Sequence, residues 1–151
     1  MINIQMQGQD VVIASLNNIT NPSVIRAAIY AMAESYTEDT LDYIQQGRAF
    51  TNRTGHLGQS IGWRPTGNES AEVYANAGYA AYVEFGTRPH VIRPKSGRKA
   101  LKIPVAGGGG YILRRAVNHP GSKPYPFFYV DQSQRRANMQ AAAISVIGGA
   151  I

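Results

Sequence analysis

The chain has 151 residues, no cysteine and a formal charge of +6, with 44% hydrophobic and 16% charged residues. That length suits one domain able to bury about two thirds of its unfolded surface, and the composition argues against wholesale disorder. A disulfide framework and a thiolate metal site are excluded, no basic leader with an apolar core opens the chain, and no apolar run reaches the length of a membrane span.

Ile2, Ile4 and Met6 alternate with polar residues, which predicts a short strand ended by Gly8. Asp10 is placed to cap a short helix carrying Val12, Leu16 and Ile19, although Val11 and Ile13 also allow a strand. Asn21 before Pro22 is the strongest helix start in the chain, a capping side chain followed by proline at the first position. Ile25, Ala28, Ile29, Met32, Tyr36 and Tyr43 follow at helical spacing, with Glu34, Glu38, Asp39 and Asp42 mostly off that stripe. This predicts a helix of about six turns ending at Gly47. Leu41 and Ile44 widen its apolar face, so it packs either on the core alone or on core and neighbouring subunit together.

Residues 48–53 read as a loop, and Thr54 as the cap of a helical turn leading to Ser60. Residues 61–64 and 72–77 read as strands joined across Pro65-Thr66-Gly67-Asn68, with Val73 and Ala75 on one face and Tyr74 on the other. Tyr79, Tyr82 and Val83 share one face of a helical turn fit to dock on a core. Gly86 then offers a position free for positive φ, and Pro89 forbids the helix and biases Arg88 towards extended geometry, so the chain reverses there.

Val91-Ile92 and residues 100–105 are the expected arms of a basic hairpin about Ser96-Gly97, followed by a mobile glycine loop at 107–110 that orders on assembly. His119 to Phe128 reads as a rigid extended connector into a helix, with Pro126 in its first turn. The helix is expected over 127–147, with Ala137, Ala141, Ile144 and Val146 apolar and Gly148-Gly149 stopping it. The fold class predicted is α+β: a small, mainly antiparallel sheet packed against a long helix and a C-terminal helix, with a projecting basic hairpin. A single domain is expected, divided into an N-terminal part at 1–20, core helix and strands at 21–87, the basic hairpin and glycine loop at 88–118, and connector and helix at 119–151.

His56, His90 and His119 are too scattered for a local metal motif, Ser60 lacks a nucleophile elbow, and the glycine run lacks the Lys-Ser or Lys-Thr of a phosphate loop. His119 reads as a structural hydrogen-bond donor. Glu84 is the first acid to consider for chemistry, but a salt bridge or hydrogen bond to Arg88 or nearby backbone is the better reading. No catalytic, cofactor or metal residue is assigned, and the chain is expected not to be an enzyme.

Charge is the stronger signal. Arg88, Arg93, Lys95, Arg98, Lys99, Lys102, Arg114, Arg115 and Lys123 fall in a span without one Asp or Glu. Such a surface attracts either an acidic protein ring or phosphate backbones, with Tyr111 and Tyr125 able to stack on bases. No nucleic-acid reading motif accompanies it, so sequence-specific binding is not expected.

Three stretches in order carry a resemblance: Thr54-Gly55-x-Leu57-x-x-Ser60-Ile61, then Tyr79-Ala80-x-Tyr82-Val83-Glu84-Phe85-Gly86-Thr87, then His119-Pro120-Gly121 with Pro126-Phe127. Over roughly residues 20 to 147, the sequence resembles the tail-completion or tail-to-head joining family of long-tailed bacteriophages. The resemblance implies a structural virion protein of the neck, made in the bacterial host cytoplasm and without cofactor or enzymatic activity. It implies a ring, commonly of six subunits, around the channel for genome DNA. Its expected neighbours are a head-connector, stopper or adaptor ring and the tail terminator or tail tube, with the DNA contacted without sequence preference. A tail terminator, a minor capsid component and a DNA-binding accessory protein are the alternatives.

Overall fold

The computed structural model describes residues 9–51, 54–105 and 107–150, and the strand expected at Ile2, Ile4 and Met6 lies outside them. Along the chain the elements are α1 (Gln9–Ile19), α2 (Pro22–Gln45), α3 (His56–Gln59), β1 (Ile61–Gly67), β2 (Ser70–Ala75), α4 (Ala80–Phe85), β3 (His90–Ile92), β4 (Leu101–Pro104), β5 (Tyr111–Arg114), β6 (Val117–His119) and α5 (Gln132–Gly148). The predicted α+β class holds, and among the described residues the strands pair two by two in three antiparallel sheets. The chain divides into two compact units, Met1–Ala80 with Phe127–Ile151, and Ala81–Pro126.

In the first unit α2 is the central element, packed against α5 and the β1–β2 hairpin. It starts where the sequence says: the Asn21 side chain accepts from the Ser23 amide at 2.9 Å, and Pro22 occupies the first turn. It stops before Gly47, whose φ of 67° suits glycine beyond a helix end. Its buried residues are Ala28, Ala33, Thr37, Thr40 and Ile44; Ala28 and Ile44 belong to the expected apolar face, whereas Ala33, Thr37 and Thr40 do not, and Tyr36 and Tyr43 are only half-buried. Small residues win the deep face because they let α2 approach its neighbours closely, and each threonine hydroxyl satisfies itself on the carbonyl one turn back, Ala33 for Thr37 and Tyr36 for Thr40.

α5 departs further from expectation. It begins at Gln132 and not near Pro126, because residues 127–131 continue the connector as bends, with Asp131 at φ 51°. Ala137, Ala141 and Ile144 are exposed, and the buried residue of α5 is Arg135. The guanidinium donates to Thr40 Oγ1 at 2.9 Å and to the carbonyls of Phe128 at 2.6 Å and Phe127 at 2.8 Å. Tyr36 Oη donates to the same Phe128 carbonyl at 2.6 Å, so two side chains hold the approach to α5, and Phe127 is buried beneath it against Phe50.

The β1–β2 hairpin pairs Ile61 with Ala75 and Trp63 with Val73, and the Trp63 ring packs at a tilt against Tyr30 of α2, with centroids 5.3 Å apart. Strand β1 extends through Pro65 to Gly67, moving the turn to Asn68-Glu69, because an irregularity between Pro65 and Gly67 lets the ladder pass the proline. Thr54 is not the cap of α3: Gly55, with φ 71°, occupies that position, and the Thr54 hydroxyl accepts from the His56 amide at 3.4 Å. Leu57 and Ile61, the apolar pair of that motif, are buried as expected of core residues.

Candidate functional site

The unit Ala81–Pro126 contains all nine cations of the candidate surface. Its expected layout is corrected by the pairing. Val91-Ile92 does not pair with residues 100–105; β3 pairs with β6, placing His90 opposite His119 and Ile92 opposite Val117. The turn at Ser96-Gly97 does form, with the Arg98 amide donating to the Lys95 carbonyl at 3.0 Å and Gly97 at φ 84°. Its flanks separate because β4 instead pairs with β5 across the glycines, Lys102 opposite Leu113 and Ile103 opposite Ile112. The glycines are the tip of that hairpin: three of the four have positive φ, a conformation other residues rarely adopt.

The helical turn at α4 is also corrected. Tyr79, Tyr82 and Phe85 are exposed, while Ala80 and Glu84, one turn apart, are buried. Of the face predicted to dock, Tyr79 and Tyr82 are therefore presented outwards and Val83 is half-buried. Arg88 is exposed.

Two motif stretches distant in sequence meet at one bridge. Thr87 and Ser122 exchange backbone hydrogen bonds at 3.0 and 3.1 Å, and Thr87 Oγ1 also accepts from the Ser122 amide at 2.9 Å. Gly86 and Gly121 flank the bridge with φ of 70° and 88°. A Cβ on Gly86 would lie 2.5 Å from the Ser122 carbonyl oxygen, and one on Gly121 would collide with the Thr87 carbonyl. The glycines of the Phe85-Gly86-Thr87 and His119-Pro120-Gly121 motifs are thus two halves of one close backbone contact. His119 is an acceptor in it and not the donor expected, its Nδ1 receiving the Gly121 amide at 3.1 Å.

Arg88, Arg93, Lys95, Arg98, Lys99, Lys102, Arg114, Arg115 and Lys123 are all exposed. Among the described residues the ion pairs are Arg48–Asp131 and Arg64–Glu72, both in the other unit, so none of the nine is neutralised by a carboxylate. Lys102 lies over the Tyr111 ring at 3.8 Å, a cation–π contact that fixes one charge on the hairpin. Tyr111, Ile112 and Leu113, three successive residues of β5, are exposed although they point alternately to both faces. The hairpin therefore presents apolar side chains together with the cations Lys102 and Arg114 of its own strands. An open groove of about 840 Å³ lies on the β3–β6 face, lined among others by Tyr82, Arg88, His90, Ile92 and His119.

Ser60 Oγ donates to the Leu57 carbonyl at 2.7 Å, and the His56 ring stacks on Tyr79 with its Nδ1 3.2 Å from the hydroxyl. Neither arrangement brings a nucleophile to a base and an acid, and among the described residues no three potential ligands gather to hold a metal. The sequence reading missed the juxtaposition of His90 with His119, whose only signal is that each stands beside a proline-rich strand end.

The family model HK97-gp10_like, described as "Bacteriophage HK97-gp10, putative tail-component", matches residues 10–86. No curated protein and no solved structure matches the chain. The match begins within α1, ten residues before the expected start of the resemblance, and ends at Gly86, so the basic segment and the motifs at 119–127 lie outside it.

Proposed function

The chain belongs to the HK97-gp10-like family of bacteriophage tail components, and from that premise we propose that it is a structural virion protein of the neck, completing the tail or joining it to the head. Copies form a ring around the DNA channel, with a head connector on one side and the tail terminator or tube on the other, and no bond is made or broken by its side chains. The observation that carries this reading is the set of nine exposed cations in residues 81–126, none in an ion pair among the described residues, in the same unit as a hairpin whose strand β5 is exposed on both faces. An isolated chain gains nothing from such a surface, whereas an acidic, partly apolar neighbour would neutralise and cover it. Around a ring, each modest contact makes the next intramolecular, so weak individual binding is compatible with a durable joint.

Substituting Arg93, Lys95, Arg98 and Lys99 together by Gln tests the role. Heads and tails are expected to form but to remain unjoined, while the variant folds normally; infectious particles at the parental yield would reject it. The same unpaired cations favour a second reading, sequence-independent contact with the DNA passing through the ring. It requires retention of duplex at low salt, lost as salt rises.

A further inference from the structure

We propose that the groove on the β3–β6 face is a docking site for an extended, carboxylate-bearing peptide segment of another protein. The site rests on the groove's own chemistry and stands or falls separately from the joining role of the hairpin. Its floor is the His90–His119 pair, opposite one another in register with ring centroids 5.1 Å apart. The hydrogen bonds fix the ring nitrogens. His90 Nδ1 donates to the Arg88 carbonyl at 2.9 Å. His119 Nδ1 accepts from Gly121, which leaves a proton on Nε2 as a donor.

Arg88 adds an exposed guanidinium, and no Asp or Glu lines the groove. Tyr82, Pro89 and Ile92 supply apolar wall, with Tyr82 62% exposed. Metal binding does not suit the pair, because His119 would have to surrender its bond from Gly121 before Nε2 could ligate, and no third ligand stands by among the described residues.

The charge count selects the ligand. One guanidinium and an imidazole donor match one singly charged carboxylate, which Arg binds in a two-pronged geometry. A phosphate cluster calls for several cations, and duplex DNA presents phosphates on a convex surface that a groove cannot wrap. The volume of about 840 Å³ falls within the range of ligand clefts, about 300–1,000 Å³. An extended peptide with alternating acidic and apolar residues places its carboxylate on Arg88 and His119 and its apolar side chains along Tyr82, Pro89 and Ile92.

The test is an NMR titration of the isotope-labelled full chain with the capped peptide acetyl-Val-Glu-Tyr-Glu-Val-amide. The same peptide with Gln for Glu, and a ten-residue oligothymidylate, are run in parallel. Saturable shifts are expected at the His90 and His119 rings and the Gly121 amide. Arg88→Gln and the Gln peptide should each weaken binding about tenfold or more, the loss of one charged hydrogen-bonded pair. Lys95→Gln removes the same charge outside the groove and should leave affinity within about twofold. Absence of binding, equal binding of both peptides, or equal losses for the Arg88 and Lys95 variants would overturn the site. Selective seating of the oligonucleotide on the histidines would overturn it in favour of nucleic acid. None of these outcomes bears on whether the variant with Gln at 93, 95, 98 and 99 joins heads to tails.

Discussion

Arg135 is 3% exposed and has no carboxylate partner among the ion pairs described, yet its guanidinium spends its donors on two carbonyls and a hydroxyl. Removing it takes a charged donor from each of these groups, with the Phe128 carbonyl keeping its bond from Tyr36, and hydrogen bonds from a charged group contribute more than neutral ones. Arg135→Met, of similar volume, should lower unfolding stability by about 2–4 kcal/mol in urea denaturation. Arg135→Lys should recover only part of this, since a single ammonium cannot reproduce the planar fork. A loss under about 0.5 kcal/mol for the Met variant, the scale of a neutral surface change, would refute the role. At the other unit's bridge, Gly121→Ala combines positive φ with a collision against the Thr87 carbonyl, and should destabilise by more than about 1 kcal/mol. Its signature is early loss of amide protection at Thr87 and Ser122. Gly109→Ala, with open space around it and no positive φ, should be tolerated.

At the scale of elements, α2 is specified locally and the β4–β5 hairpin is not. The Asn21 cap accepts from both the amide and the hydroxyl of Ser23, and Asn21→Ala should cost about 1 kcal/mol by denaturation. The hairpin has two strands and exposed apolar residues on both faces, a combination marginal in water without something to cover it. Leu113 is 59% exposed, so Leu113→Asp should change stability by less than about 0.5 kcal/mol. In the proposed joining role the same change should exclude the protein from assembled particles. Normal incorporation would mean that β5 is not the buried strand of the joint.

Over the whole molecule the charge is partitioned. Residues 81–126 hold nine Lys and Arg, including every lysine, against the single acid Glu84, whereas the rest of the chain has six arginines and eight acids. The net charge of +6 therefore understates the basic unit and conceals a mildly acidic one. Association through the basic unit should weaken steeply with salt, since exposed charges are screened over about 10 Å at 0.1 M and about 3 Å at 1 M. Binding to immobilised polyglutamate at 50 and 500 mM sodium chloride measures this. Salt-independent retention would assign the contact to the apolar residues of β5 instead of the cations.

The sequence by itself determined what depends on neighbours along the chain. The cap and proline of α2, the positive φ at Gly86, the turn at Ser96-Gly97, the clustering of charge and the α+β class all follow from residues within a few positions of one another. Tertiary structure alone decided how the strands beyond the β1–β2 hairpin pair, which face of a helix is buried and which histidines meet. Periodicity marked Tyr79 and Tyr82 as inward, but they are exposed, while Thr40 and Arg135 are buried with a hydrogen bond between them. A polar residue is legible as core only once its partner is known, and Arg135 and Thr40 stand 95 residues apart.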